Sequence, residues 1–169
     1  MPLSPRLTNV VLLPDEAEKA RARLVRLADE ASLDAAVLLL RSGEVAVSHA
    51  ERRLAQLDAL GALLAANFAS AREIARILGE PGFDSQFQQG QNRHVVMNAV
   101  GDGWLLAAVF AQATQLGLVK MLAARAAEEL RPLYDAARAR AAADGPPAAP
   151  PGFRAAASSA IDQLFQEPG

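Results

Sequence analysis

The chain has 169 residues, 51% of them hydrophobic, with a formal net charge of −2 and no cysteine. Such a length suits one core with extensions, because a single core serves roughly 100–150 residues. The near balance of 17 Lys+Arg against 19 Asp+Glu leaves no electrostatic footprint for nucleic acid, and the lack of Cys excludes disulfides, thiol catalysis and thiolate metal sites.

Val10 to Leu13 is a short β-prone run, followed by Pro14 and the acidic stretch Asp15-Glu16-Ala17-Glu18. Acids in a first turn complement the helix dipole, and Leu24, Leu27, Ala28 and Ala31 recur at helical spacing. The first helix is expected over 15–32. Ala35 to Leu40 is continuously apolar, Arg41-Ser42-Gly43-Glu44 supplies a turn, and Val45 and Val47 alternate with smaller neighbours, so a hairpin is expected. A second helix is expected over 51–78, with Leu57, Leu60, Leu64, Ala71, Ile74 and Leu78 as its core face. Gly79 fits a left-handed cap and Pro81 confirms the stop.

Ser85 to Gln89 reads as a short polar strand. Arg93 to Val100 and Trp104 to Phe110 read as stronger strands, joined by the tight turn Gly101-Asp102-Gly103. The third helix is expected over 115–142, with Val119, Leu122, Ala126, Leu130, Leu133 and Ala137 as its stripe. Pro132 lies inside it; proline removes an N–H and clashes with the carbonyl of Glu128, so a kink is expected. The composition then shifts to a Pro/Ala-rich linker over 144–152, with a reach of roughly 25–30 Å if extended. In the tail, 153–169, Ile161, Leu164 and Phe165 share one side of a short helix, and Ser159 and Asp162 have capping-box spacing. The order is α-β-β-α-β-β-β-α, an α+β sandwich over 1–143, then linker and tail helix.

No set of residues makes an active site. His49 and His94 have no acid at ligand spacing, so both read as structural or surface residues and no metal is expected. No G-x-x-x-x-G-K-[ST] loop is present, and Gly101-Asp102-Gly103 is too short to cradle phosphate. Ser158-Ser159 has no histidine partner, and Glu128-Glu129 reads as part of a solvated helix face. The opening Met1-Pro2-Leu3-Ser4-Pro5-Arg6 is not a signal peptide by pattern. The segment Trp104 to Ala111 is far short of the ~20 residues that span a bilayer, so a cytoplasmic chain without membrane insertion or cofactor is expected.

Surfaces remain. On the second helix Ala62, Ala65, Ala66 and Ala69 form a strip of small residues, which either admits a close partner or reflects only the helix preference of alanine. The apolar trio of the tail either docks in a groove, on this chain or on a partner, or is incidental to a disordered end.

The element order is similar to that of the Roadblock/LC7 family. The stretch Leu57-Asp58-Ala59-Leu60 through Leu78-Gly79-Glu80 resembles the bacterial MglB group of that family. So do Phe83, Phe87 and Gly90, then Leu116-Gly117-Leu118-Val119-Lys120, then the tail Ala160-Ile161-Asp162-Gln163-Leu164-Phe165. The resemblance covers nearly the whole chain. It implies a homodimer without an active site of its own that binds a small Ras-like GTPase, MglA, in its GTP-bound state and stimulates hydrolysis by remodelling the GTPase. Its setting would be cell polarity and surface motility, with the protein concentrated at a cell pole. The dimer would pair the edge strand 85–90 and pack the second helices together as a platform. Carried across, that platform includes Ala65, Ala69 and Arg72, with Asn67, Phe68 and Arg76 nearby. Ile161, Leu164 and Phe165 would touch another surface of the GTPase and favour nucleotide exchange. Two departures stand out: Arg41-Ser42-Gly43 lacks the acid often found near that turn, and the tail is less acidic than in some relatives. The competing readings are a Roadblock scaffold that binds a GTPase or another protein without altering catalysis, and a small-molecule sensor. The low aromatic content, 5%, argues against a specific pocket.

Overall fold

The computed structural model describes residues 10–51 and 56–144. Three helices, α1 (Pro14–Ala31), α2 (Leu57–Leu78) and α3 (Leu116–Asp144), flank five strands. The strands are β1 (Ala35–Leu40), β2 (Val45–Ala50), β3 (Ser85–Gln89), β4 (Arg93–Val100) and β5 (Trp104–Ala111). They form one antiparallel sheet in the order β2-β1-β5-β4-β3. The αββαβββα order and the five-stranded sheet match the expectation. The linker and tail at 145–169 lie outside the described residues.

The period-2 alternation of a strand sends successive side chains to opposite faces. Ala36, Leu38 and Leu40 of β1, with Leu106, Ala108 and Phe110 of β5, join the core under α1 and α3. Val37, Leu39, Leu105 and Ala107 face the other way and join Leu64 and Phe68 of α2. Both faces of β1 and β5 are therefore covered, which is why these strands read as unbroken apolar runs rather than alternating ones. The edges are β2 and the polar β3. Within the α1–α3 layer Tyr134 packs against the ring of Trp104, edge to face at 5.2 Å, and the 101–103 turn closes on Tyr134.

The β-prone run Val10 to Leu13, which is not among the expected strands, leads into α1 and is anchored where Trp104 Nε1 donates to the Val10 carbonyl at 2.9 Å. A lone β-prone run with no neighbouring strand has no ladder to join. Several expectations need correction. The described part of α2 begins at Leu57 rather than at Glu51, with Gln56 left-handed at its start. Ile74 and Leu78 are 51% and 66% exposed, so they do not belong to the core face of α2. Helix α3 runs as one element through Pro132.

Glu129 is exposed, as expected for its face of α3, but it is not without partners. It sits between α1 and α3 and pairs with Arg23, with Arg26 at 2.5 Å and with Arg125 at 3.0 Å. Arg23 is only 7% exposed. At the other end of the antiparallel α1–α3 pair, Arg140 donates to both carboxylate oxygens of Glu16 at 2.8 and 2.9 Å. Partial burial works to raise the Glu129 carboxyl, but the guanidiniums of Arg23, Arg125 and Arg26 outweigh it and hold it below the usual carboxylate range. The Arg140 hydrogen bond lowers Glu16 in the same way, against the pull of burial.

A depressed carboxyl stabilises the fold above its unfolded value and loses that contribution as pH falls through the lowered folded value. Glu129→Gln leaves Arg23 buried without its counter-charge. It is expected to cost about 3 kcal/mol at neutral pH, the lower end for a broken buried pair because the carboxylate is partly solvated. In urea unfolding the gap from the native sequence should shrink between neutral and acid pH, as the native carboxylate itself becomes protonated at its lowered folded value. An equal loss at both pH values would show that Glu129 acts by packing, not by charge.

Candidate functional site

Helix α2 carries three distinct faces, because successive residues are turned by ~100° about the axis. Gly61, Leu64, Ala65, Phe68 and Ala75 are buried against the sheet. Directly outward stand Leu63 at 69% exposure, Ile77 at 71%, Ile74 and Leu78, interrupted by Asn67 and Ser70. This is an apolar stripe running the length of the helix in water. The third face, roughly 130° around from the stripe on a helical wheel, bears Ala62, Ala69, Arg72 and Arg76, all exposed.

The residues singled out from the sequence therefore separate. Ala69, Arg72 and Arg76 share the third face, and Asn67 lies in the apolar stripe. Ala65 and Phe68 are each 8% exposed, so their side chains face the core rather than outward; that part of the expected platform is corrected. The small-residue strip is likewise divided, since Ala62, Ala66 and Ala69 are exposed and Ala65 is buried. Leu63 and Ile77 went unnoticed in the sequence. Their signal was present, because both lie on the side of the helix opposite the glycine Gly61.

The two cations of the third face differ. Both Nε and Nη2 of Arg76 donate to Glu73, which is pulled below the ordinary carboxylate range by that bond. Arg72 has no ion pair or hydrogen bond among the described residues and overlooks a cleft beside Ala69, Phe68 and the 101–103 turn. Across it Arg41 donates to the Asp102 carbonyl at 3.2 Å. The cleft holds about 30 Å³, room for about two waters. A ligand pocket usually needs ~300 Å³ or more, so this cleft suits a protruding side chain rather than a metabolite.

Strand β3 ends the sheet at the edge opposite β2 and leaves one side of its backbone unpaired. His94 on the adjacent strand is buried; its Nδ1 accepts from the Gly90 N–H at 3.2 Å, and its ring meets Phe87 and Phe110 edge to face. This is a structural histidine that holds the β3–β4 connection. Among the described residues no cluster of His, Asp and Glu has the makings of a metal site, and no helix is long and apolar enough to cross a membrane.

A five-stranded antiparallel sheet with two helices on one face and one on the other defines the class. The Roadblock/LC7 domain model matches residues 20–110, and the chain belongs to that family. Within it, the chain is similar to solved MglB structures. Myxococcus xanthus MglB is 28% identical with a TM-score of 0.67, covering 70% of this chain and 96% of that one. The gliding protein MglB of Thermus thermophilus is 29% identical with a TM-score of 0.71, covering 79% and 98%. An MglB with a tetrameric arrangement is 30% identical with a TM-score of 0.72, covering 80% and 99%. No curated protein sequence matches the chain.

Proposed function

We propose that the chain is a homodimeric regulator of a small Ras-like GTPase of the MglA type. It binds the GTP-bound form and stimulates hydrolysis by aligning the catalytic residues of the GTPase, without an active site of its own. The observation that carries this reading is the division of α2 into an apolar exposed face and a separate small-residue, cationic face. The apolar stripe suits a second copy of the chain, with the open edge of β3 pairing beside it. The face of Ala69, Arg72 and Arg76 then remains available to the GTPase. The likeness to MglB supports the GTPase as partner and cell polarity and motility as the setting, with the protein concentrated at a cell pole.

The test is phosphate release under multiple turnover with the Ras-like GTPase of the same genome. A rise that saturates at two chains per GTPase supports the proposal. Binding without a rise makes the chain a scaffold, and the absence of binding ends the GTPase reading.

Arg72 allows the mechanism to be distinguished. An inserted arginine finger is worth ~10³–10⁵ in rate, whereas an interface contact affects affinity. Arg72→Ala is expected to weaken binding about tenfold or less, in line with one solvated charge contact, while full stimulation returns at saturating protein. Loss of nearly all stimulation at saturation would establish a finger instead.

Ile161, Leu164 and Phe165 are proposed to touch a second surface of the GTPase and to promote nucleotide exchange. Ending the chain at Asp144 is expected to slow exchange, followed with a fluorescent nucleotide, and to leave saturated hydrolysis in place. Unchanged exchange and binding would remove the tail from the mechanism.

A further inference from the structure

The side of the sheet away from α2 carries a groove of about 430 Å³ between α1 and α3. Its floor is apolar, made by Ala22, Leu130, Pro132 and Leu133, and Lys19 and Arg26 stand along it. The charge there is unbalanced. Among the described residues Glu129 is the one carboxylate lining the groove, against Lys19, Arg23 and Arg26. Arg23, though 7% exposed, has its Nη1 buried without any hydrogen-bond acceptor. A guanidinium left half-satisfied at the base of an apolar groove calls for another anion, because a buried charge without its full set of partners is costly.

We propose that this groove receives the chain's own tail, 153–169, as an amphipathic helix. The chemistry is complementary. Ile161, Leu164 and Phe165 supply an apolar side for the floor, and Asp162 and Glu167 supply carboxylates for the cations. The length fits as well. Helix α3 ends at Asp144, eleven residues beyond Leu133, a distance of about 17 Å along the helix. The linker 144–152 spans roughly 25 Å or more when extended, so it can double back along α3 to the groove. The groove lies on the face of the sheet opposite α2, so self-association through α2 leaves it open. A tether of this length gives an effective concentration in the millimolar range, enough to populate a weak contact. The tail thus has a resting site, from which a partner must draw it. This inference does not depend on the GTPase reading, and its test contains no GTPase.

The chain has no cysteine, so Ala22→Cys in the full-length protein accepts a single nitroxide label. In ¹⁵N-labelled protein the amide signals of 161–165 are expected to fall below half their intensity after the label is reduced. Lys19→Glu combined with Arg26→Glu, both at exposed side chains, should restore them, as should Leu164→Glu. Tail amides that keep full intensity in the parent protein overturn the proposal. So does broadening of equal size when the label and the ¹⁵N reside on different copies, because the tail then docks on a second chain. Retained broadening in both charge-reversed and Leu164→Glu proteins also counts against it, as the contact would be non-specific.

Discussion

Gly61→Leu is expected to destabilise the fold by about 3 kcal/mol or more, the upper range for forcing extra carbons into a packed site. Gly61 sits where α2 crosses the β1–β2 turn. A Cβ there would lie 2.6 Å from the Gly43 carbonyl oxygen and 3.0 Å from the Leu39 side chain. The approach is reciprocal: a Cβ on Gly43, whose φ is +92°, would lie 2.6 Å from Ala62 Cα. Two backbones thus meet with nothing between them, and neither can retreat without lifting Leu64 and Phe68 of α2 away from Val37 and Leu39 of the sheet. The same replacement would gain almost 1 kcal/mol in an open helix, since glycine is a poor helix former, so a net loss must come from the contact. Gly79→Ala is the control. Gly79 also has a positive φ, +75°, but nothing lies within 4 Å of an added Cβ. It should cost about 1 kcal/mol, from backbone conformation alone. Urea or thermal unfolding of the two variants checks the contrast, and similar losses would mean that α2 tolerates a shift away from the turn.

If the proposed homodimer and GTPase regulation hold, Leu63→Glu with Ile77→Glu is expected to leave a monomer and to abolish stimulation of the GTPase. Both side chains are about 70% exposed in the single chain, at 69% and 71%, so the fold itself should be unaffected. A two-fold contact loses each anchor twice. Four lost anchors at about 1.5 kcal/mol each amount to about ten-thousandfold in the dimer constant, before charge repulsion is added. Sedimentation at micromolar concentration measures the first effect and phosphate release the second. A dimer that survives would place self-association on β3 alone and leave the apolar stripe for another partner.

The fold was largely legible from periodicity. The alternation of Val45 and Val47, the unbroken run Ala35–Leu40 and the Gly-Asp-Gly turn each have one local solution. Resemblance to the Roadblock/LC7 family added the topology, and the family match supports it. The site was legible only in part. Apolar spacing on α2 identified the helix, yet it grouped Leu64, which is buried, with Ile74 and Leu78, which are not. Phe68, placed near the platform by the resemblance alone, lies in the core with Leu64 and Met97. Hydrophobic pattern states that a residue avoids water; it does not state which surface relieves it.

Composition and local pattern by themselves determined that this is a nearly neutral, cysteine-free chain of the α+β class, because charge, residue chemistry and period are properties of short stretches. Tertiary structure decided which sides of α2 remain open, that Glu129 gathers three arginines, and that a groove with a half-satisfied buried guanidinium lies between α1 and α3. Each of these depends on residues far apart in the chain, such as Arg26 and Glu129, whose separation of 103 positions carries no periodicity from which their meeting could be read.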